Sequence, residues 1–256
     1  MLKTEQDIND IKEGGAHLVA ILKAVADMAK PGVNLLQLED IARKEAEARG
    51  GRPSFLGYRG YPSALCLSPN NTIVHGIPKD YTLKDGDILA VDCGFFFKGW
   101  HTDAAVTLPI GTISPEATRL LAGTYSALLA GTDQAKVGNR IGQISRAIEG
   151  SLRGSNLTIF RSLVGHGVGR ELHEDPMVPN FHAGSAGPAI QAGQTLALEP
   201  IAGLGREDIN ELDDGWTLET ADGNLSAHFE HTLIATPEGP VVVTPLTELV
   251  DFLKNA

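Results

Sequence analysis

The sequence contains an internal repeat, which constrains the possible fold more than any other feature. The stretch PGVNLLQLEDIARKEAEARGG, beginning at Pro31, resembles KVGNRIGQISRAIEGSLRGSN, beginning at Lys136. DGDILAVD, ending at Asp92, resembles AGQTLALE, ending at Glu199, and each of these acids lies six residues after a glycine. Self-similarity of this kind indicates that one structural unit occurs twice. We therefore expect two similar α/β halves related by a pseudo-two-fold axis.

Spacing and end signals predict the same kinds of element in both halves. Apolar residues recur at helical intervals in four segments; the second follows the N-cap residue Asn34, and the third opens with Ser114-Pro115-Glu116. The predicted fold class is α+β, with one domain at 1–256 and halves at roughly 1–112 and 113–256. The predicted helices are 8–28, 35–49, about 115–130 and about 141–152, and the predicted strands include 82–97, 102–108 and an apolar stretch at 233–243.

Four acids interrupt or adjoin apolar strands at matching places in the two halves. Asp92 lies within AVDCG, Asp103 precedes AAV, Glu199 ends TLALE, and Glu230 leads into HTLIA. An ionised carboxylate removed from water is costly unless a positive charge neutralises it. The sequence therefore predicts a cation shared by these acids.

The first two acids belong to a predicted hairpin with a two-residue turn at Lys98-Gly99. Such a turn would place Asp92 opposite Ala105, with Asp103 as its diagonal neighbour on the same face. Diagonal neighbours lie about 7–8 Å apart at Cα, close enough for both side chains to bind one ion. Taken alone, the pair could equally face water, because one face of a hairpin is often polar.

All four acids together favour two divalent cations. Four charges would overcompensate one divalent ion, whereas two ions about 3.5–4 Å apart balance them and leave room for a bridging water. The predicted nitrogen ligand is His166 in VGHGVG, where glycines let the backbone approach closely. Such an oxygen-rich set with one imidazole suits manganese, iron(II), cobalt or magnesium better than structural zinc, although zinc is still allowed. Hydrolysis at a polarised carbonyl is the chemistry that this kind of centre supports.

The remaining histidines differ in their surroundings. His75 and His173 lie in loops flanked by glycine or proline, and could either face the same site or lie on the surface. Strand alternation predicts that His101 and His231 point away from the site, although both adjoin site acids. Three others lie outside these motifs and are expected to be solvated: His17, His182 and His228.

Together these residues resemble the methionine aminopeptidases of the bacterial type I form, whose fold is called pita-bread. The resemblance covers essentially the whole chain. It implies two pseudo-symmetric α/β halves around a curved antiparallel sheet. It also implies removal of the initiator methionine from nascent proteins with a small second residue, by a hydroxide bridging two cobalt, manganese, iron(II) or zinc ions. The motifs that carry the resemblance are NTIVHGIP, VDCG, HTDAAVT, GHGVGRELHEDP, LEP, DGWTLET and LSAHFEHT.

The resemblance assigns a role to each metal ligand. Asp92 would be a bidentate ligand of one metal, and His166 would bind the other. Asp103 and Glu230 would bridge both metals. Glu199 would serve as a ligand and as the general base that moves the proton of the bridging water.

The resemblance also implies how the substrate is bound. His75 would contact the scissile amide nitrogen, and His173 would bind the scissile carbonyl oxygen as charge develops there. An apolar pocket would hold the methionine thioether, which gains from soft contacts. The residues implied for its wall are Phe55, Tyr58, Tyr61, Cys66, Leu172 and Trp216.

This chain departs from the family pattern around that pocket. A cysteine is usual where Phe55 stands, a phenylalanine where Leu172 stands, and a histidine where Arg59 stands. The first change adds bulk and the second removes it, so the shape of the pocket is expected to differ while its apolar character persists. The family also implies a monovalent cation, sodium or potassium, held by Asn70, the carbonyl of Thr72, and Ser226.

Composition excludes several classes of protein. The formal net charge of −11 disfavours a binder of nucleic acid or of an anionic membrane. Two cysteines, Cys66 and Cys93, cannot provide a disulfide framework or a zinc-thiolate site. With no signal-like segment near the start, we expect a cytoplasmic protein. Nothing in the sequence demands an oligomer, so a monomer is expected. The resemblance implies the N-terminal peptide of a nascent protein as partner, and docking on the ribosome stays open.

Three alternative functions are consistent with part of the sequence. X-Pro aminopeptidases and prolidases share the fold and ligands but usually carry an additional N-terminal domain, whereas here the first helix is predicted within ten residues of the start. A non-catalytic pita-bread binding protein would lack ligands, and all five are present. A magnesium-dependent phosphoesterase would need basic residues beside the acids, and only Arg161 and Arg170 lie near His166 in the sequence.

Overall fold

The helices of the chain form two pairs, as the repeat predicts. A computed structural model describes residues 3–255, so the predicted domain ends at 1 and 256 lie outside the described residues. The Asn34 side chain accepts a hydrogen bond from the backbone N–H of Leu36, and Ser114 caps the third helix by accepting from Ala117. Both predicted N-caps are confirmed. The α-helices are α1 (Glu5–Met28), α2 (Leu35–Ala48), α3 (Pro115–Gln134) and α4 (Ile141–Gly154), and single 3₁₀ segments cover Tyr58–Gly60 and Asp251–Asn255.

The strands pair antiparallel throughout the described part of the chain. They are β1 (Arg52–Pro53), β2 (Leu65–Pro69), β3 (Thr72–Val74), β4 (Ile88–Phe97), β5 (Trp100–Pro109), β6 (Thr158–Ile159), β7 (Val164–Gly167), β8 (Glu174–Pro179), β9 (Thr195–Leu198), β10 (Ile201–Gly203), β11 (Ile209–Glu211), β12 (Leu218–Thr220), β13 (Ser226–His228), β14 (Glu230–Thr236) and β15 (Gly239–Val242).

One large sheet joins the two halves of the chain. Its order is β1-β4-β5-β14-β9-β7-β8, with β2 added to β4 and β15 added to β14. Two smaller sheets have the orders β13-β10-β6 and β11-β12-β3. Helix α1 packs on β4 and β5 from the first half, while α3 packs on β9, β10 and β13 from the second. Strands β5 and β14 form the seam at which the halves meet.

The β4–β5 hairpin has the predicted register. Asp92 pairs with Ala105, and Gly94 pairs with Asp103, so the two acids are diagonal neighbours. The turn residues Lys98 and Gly99 have φ values of 49° and 84°. Positive φ at both central residues is the backbone conformation that matches the twist of a two-residue hairpin.

Two predicted strands have different bounds in the structure. The strand expected at 82–97 begins only at Ile88, because the preceding segment is a loop closed by Asp87. The Asp87 carboxylate accepts hydrogen bonds from the Lys84 backbone N–H and the Tyr81 hydroxyl. The apolar stretch at 233–243 is divided between β14 and β15, which form a hairpin whose second strand begins at Gly239.

The core lies between the helices and the large sheet. Helix α1 approaches the sheet closely at Gly15, where an added Cβ would lie 2.3 Å from the carbonyl oxygen of Val243. Only glycine permits this approach of the two backbones. Leu18, Ile21 and Leu22 of the same helix are fully buried in the main hydrophobic core. Burial of this apolar surface is the main favourable term that holds α1 in place.

A buried glutamate fixes the start of β2. Glu39 on α2 is 6% exposed and accepts hydrogen bonds from the backbone N–H groups of Ala64 and Leu65, at 2.7 and 3.0 Å. The guanidinium of Arg43 donates to the same carboxylate at 2.6 Å. Because Cys66 follows directly, this interaction positions the strand that borders Asp92.

Replacing Glu39 with alanine should lower the free energy of unfolding by about 2–6 kcal/mol, since two buried backbone donors lose their acceptor at about 1–3 kcal/mol each. Urea denaturation would measure the change. The matched control is Glu45→Ala, which removes the more exposed ion pair with Arg49 on the same helix and should cost under about 1 kcal/mol. Equal effects of the two substitutions would contradict this role for Glu39.

Candidate metal centre

The five predicted ligands come from five neighbouring strands of the large sheet. In the order β4-β5-β14-β9-β7, these strands carry Asp92, Asp103, Glu230, Glu199 and His166, and Glu199 directly follows the last residue of β9. Glu230 pairs with Ala105, which also pairs with Asp92, so the register aligns three strands beneath the site. Sequence positions more than 130 residues apart are thereby brought to one place by sheet pairing.

The donor atoms lie at distances suited to binding ions. One group, formed by Asp103, His166 and Glu230, offers one donor atom from each residue, all within 4.8 Å of one another. The His166 Nε2 atom also lies 3.7 Å from Glu199 Oε1. A second group with the same spacing contains Asp92, Glu230 and a histidine outside the predicted set, His228. Glu230 belongs to both groups.

The carboxylates are buried together, and this raises their pKa values. Desolvation raises the pKa of Asp92, Asp103 and Glu199 well above the ordinary range, and the charges of the neighbouring acids add to the effect. Desolvation raises the pKa of Glu230 to about 8. Asp92 Oδ1 and Glu230 Oε1 are buried without a hydrogen-bond partner. Unpartnered buried carboxylate oxygens beside a neutral imidazole are the donors that a divalent cation requires, so the residues present fit the predicted metal ions.

His166 is oriented by its own backbone. Its Nδ1 atom lies 2.8 Å from the carbonyl oxygen of Gly167, which can only accept a hydrogen bond. Nδ1 therefore carries the proton, and Nε2 keeps a free lone pair directed toward Glu199. Burial lowers the pKa of His166, which keeps the ring neutral. A hydrogen bond of this kind commonly fixes the tautomer of a metal-binding histidine.

The two loop histidines both line the cavity, which has a volume of about 640 Å³. His75 has φ 57°, a left-handed conformation that is uncommon for a residue with a side chain, and its ring lies edge-on to Trp216. His173 Nδ1 lies 2.9 Å from the Tyr58 hydroxyl, and its ring is 4.3 Å from that of His166. His173 opens to the cavity, yet the protein packed around it still lowers its pKa.

An apolar cluster forms one wall of the same cavity. It contains all six residues predicted for the substrate pocket, together with Ile77, which the sequence did not single out. The Tyr61 hydroxyl donates to the carbonyl oxygen of Leu65 at 3.0 Å, so this buried ring is fixed in position. Arg59 and Met177 also line the cavity, and the Met177 side chain is 68% exposed.

The residues proposed for a monovalent cation also meet. The Ser226 hydroxyl donates to the carbonyl oxygen of Thr72 at 3.1 Å, and the Asn70 carbonyl lies 3.4 Å from the same hydroxyl. Asn70 has φ 55°, which turns the chain between β2 and β3.

The two strand histidines beside the acids point away from the cavity as predicted, whereas none of the three histidines expected to be solvated is fully exposed. His101 bonds to the hydroxyl of Ser54 at 2.8 Å and His231 to that of Thr132 at 2.7 Å, and neither lines the cavity. His17 and His182 are half-buried rather than solvated. The prediction that His228 is solvated was wrong, since the residue is 3% exposed and lines the cavity.

A sequence signal for His228 was available. The two-residue period of a strand that directs His231 away from Glu230 also places His228 on the same side as Glu230. Phe229 belongs to neither β13 nor β14, but the two-residue alternation continues across it.

No helix within residues 3–255 combines the length and apolar character needed to cross a bilayer.

The chain is similar to known proteins over most of its length. A model of metallopeptidase family M24 matches residues 9–237. A methionine aminopeptidase of Clostridium perfringens is 42% identical over 244 residues, which cover 95% of this chain and 98% of that relative. The crystal structure of a methionine aminopeptidase from Thermotoga maritima has 36% identity and a TM-score of 0.93, with 95% of this chain and 98% of that chain covered.

A more distant likeness concerns the fold alone. A prolidase from Pyrococcus furiosus is 17% identical, with a TM-score of 0.77 over 95% of this chain and 65% of that chain. These structural matches confirm the predicted fold of two α/β halves around a curved antiparallel sheet.

The metal-free protein should lose stability as the pH rises from 7 to 8. Glu230 ionises at about pH 8 in the folded protein but near its ordinary 4.5 when unfolded, so its contribution to stability is lost as the pH rises through about 8. Burial lowers the pKa of His228 from 6.5 to about 3, so this histidine makes stability rise with pH, but only below about pH 6.5. Glu230 alone should reduce the free energy of unfolding by about 1 kcal/mol over this interval.

Urea denaturation of metal-stripped protein at pH 7 and pH 8 would measure the loss, with manganese-saturated protein as the control. Manganese should abolish the loss, since bound cations stabilise the ionised carboxylates. Constant or rising stability of the metal-free protein over this interval would contradict the predicted burial of shared acids.

Proposed function

The chain belongs to metallopeptidase family M24, and we propose that it is a methionyl aminopeptidase that removes the initiator methionine from nascent proteins with a small second residue. The observation that carries this proposal is the convergence of five ligands beside an apolar pocket lined with aromatic rings. Relatives about 40% identical over nearly their whole length, named methionine aminopeptidases, support the same activity. The substrate is therefore an N-terminal peptide.

We propose that the ligands hold two divalent cations drawn from cobalt, manganese, iron(II) and zinc. Asp92, Asp103, His166, Glu199 and Glu230 would hold them, and Glu230 lies in both donor groups, as a shared ligand must. When bound, such ions polarise a carbonyl oxygen and lower the pKa of a coordinated water. All of these ligands come from one chain, so the centre does not need a second copy.

Glu199 is proposed as the general base. Its carboxylate borders the cavity and lies 3.7 Å from the His166 ring, next to the position proposed for the metals. Burial raises its pKa, which favours a carboxylate that can hold a proton at neutral pH. A proton taken from the attacking water by a Glu199 oxygen can then pass to the leaving amine nitrogen.

His173 and His75 are proposed to bind the reacting amide. The Tyr58 hydroxyl and His173 Nδ1 share a hydrogen bond, and a Tyr58 O–H that donates to Nδ1 leaves the N–H on Nε2. That N–H would donate to the scissile carbonyl oxygen as negative charge develops. His75, which lines the same cavity with its ring edge-on to Trp216, would contact the scissile amide nitrogen.

The apolar wall is proposed to select the first side chain. Phe55, Cys66 and Leu172 are less than 10% exposed, and Tyr61 lies edge-on to Trp216 at 5.1 Å. An unbranched thioether gains from contacts with these rings and with the thiol. The bulk added at Phe55 and removed at Leu172 lies within this one cluster, which supports a retained pocket of altered shape.

X-Pro activity is not favoured. The similarity to a prolidase, at 17% identity, concerns only the shared fold, and one fold hosts several substrates.

We propose that the protein acts in the cytoplasm, where nascent chains present their N-termini. We also propose a sodium or potassium ion at Asn70, Thr72 and Ser226, whose oxygens converge beside β13.

Replacing Asp103 with asparagine should lower the turnover of a Met-Gly peptide by about 1000-fold or more, because metal ions stabilise this kind of transition state by several kcal/mol. Metal content, measured by atomic emission, should fall with it, while the circular dichroism spectrum should not change. Glu149→Gln, on α4 and outside the cavity, is the control and should retain turnover. Full activity of Asp103→Asn would contradict the metal assignment.

Replacing His173 with alanine should reduce kcat by about 100- to 1000-fold, the usual cost of losing a donor to a developing oxyanion. Metal content should stay unchanged, since His173 is not a proposed ligand. Steady-state kinetics with Met-Gly would separate kcat from KM. A change confined to KM would show that His173 contributes only to binding of the ground state. His182→Ala, at a half-buried histidine outside the cavity, is the control.

A further inference from the structure

His228 is the buried histidine of the cavity to which neither the sequence motifs nor the family resemblance assigns a role. It ends β13 and is 3% exposed. Its backbone is held by Thr107, whose hydroxyl donates to the His228 carbonyl and accepts from the His228 N–H, both at 2.9 Å. Because the backbone is fixed by these hydrogen bonds and the residue is buried, the ring has little freedom. The fold therefore sets its orientation.

The ring directs Nε2 into the group of acids. Nε2 lies 3.4 Å from Glu230 Oε2 and 3.8 Å from Glu199 Oε2. Within the described residues, this nitrogen is buried without a hydrogen-bond partner. Buried polar atoms are normally satisfied, and an unsatisfied one needs an explanation such as an ion.

His228 and His166 occupy equivalent places in the two donor groups. One group contains Asp103, His166 and Glu230, and the other contains Asp92, His228 and Glu230. Each group thus has one aspartate, one imidazole and the shared Glu230. A cation in either group would meet two carboxylates and one nitrogen.

We propose that His228 Nε2 is a metal ligand, which gives the second cation position an imidazole of its own. This inference rests on the proposed metal centre and adds to it a sixth protein ligand. Imidazole suits iron(II), cobalt(II) and zinc, whereas purely carboxylate and carbonyl sites suit magnesium, calcium and manganese. His228 therefore biases the position near Asp92 toward the former group of cations.

A hydrogen-bonding role for His228 accounts for less of the geometry. A neutral ring that donated from Nε2 to Glu230 would be a satisfied donor, whereas the 3.4 Å contact does not satisfy this atom. Histidines whose role is hydrogen bonding are found elsewhere in the chain with short partners, as His231 shows with Thr132 at 2.7 Å. His231 is equally buried and lies only three residues away, so it is a matched control.

Proton NMR of cobalt(II)-loaded protein can count the ligating imidazoles. Each histidine bound to cobalt through Nε2 gives a hyperfine-shifted Nδ1–H resonance that disappears in heavy water. Wild-type protein with two equivalents of cobalt should show two such resonances, of which His166→Gln removes one and His228→Gln removes the other. The control His231→Gln should retain both.

Calorimetric titration of the metal-stripped protein with cobalt(II) provides the affinity. His228→Gln should weaken one of the two binding events by about 10- to 100-fold or more, since the loss of even an outer partner of a metal site costs that much. His231→Gln should leave both events within threefold of wild type.

The outcomes separate this inference from the proposed function. A single wild-type resonance that is lost in His166→Gln and kept in His228→Gln would overturn the role of His228 and leave the metal centre intact. Wild-type protein that binds no cobalt, or binds it with no shifted imidazole resonance, would instead overturn the metal centre itself. The wild-type count needs no variant, so the test does not depend on whether His228→Gln folds.

Discussion

The mutual repulsion of four buried carboxylates is the constraint on which the rest of the structure depends. Removing one ionised acid from water is unfavourable, and placing four together is tolerable only if they are protonated or share cations. The sheet nevertheless brings them together, one from each of four adjacent strands. The four acids therefore require neutralisation by positive charge. Within residues 3–255, Arg59 is the only lysine or arginine that lines the cavity.

The surrounding structure serves that centre in distinct ways. Glu39 anchors the start of β2, which borders Asp92, and Thr107 clamps the backbone that carries His228. We propose that the apolar wall selects a flexible apolar side chain beside the proposed metal ligands. The residues of both groups line a single cavity.

Much of this arrangement could be predicted from the sequence, because its signals are local or repeated. The Lys98-Gly99 turn fixes the register that makes Asp92 and Asp103 diagonal neighbours, and the duplication extends the argument to the second half of the chain. The strand predicted from 82 begins only at Ile88, because hydrogen bonds to Asp87 close a loop before it. The residues at 84–87, Lys-Asp-Gly-Asp, have the composition of a turn, so this boundary was within reach of the sequence.

His228 shows a different limit of prediction from the sequence. The local two-residue period places His228 on the side of Glu230, but its approach to the other acids depends on long-range pairing. Strand β13 belongs to a small sheet with β10, while β14, two residues on, joins the large sheet. The family resemblance assigns no role to a histidine at this position. Ile77 was not predicted either, because only the folding of its loop brings it to the apolar cluster.

We propose that these carboxylates hold the divalent cations with which the protein cleaves after an N-terminal methionine. The most direct test is to strip the protein of metal, restore manganese or cobalt, and offer Met-Gly and Ala-Pro peptides side by side. Methionine should be released only when metal is present, and alanine should not be released. Equal methionine release without metal, or release of alanine alone, would contradict the account.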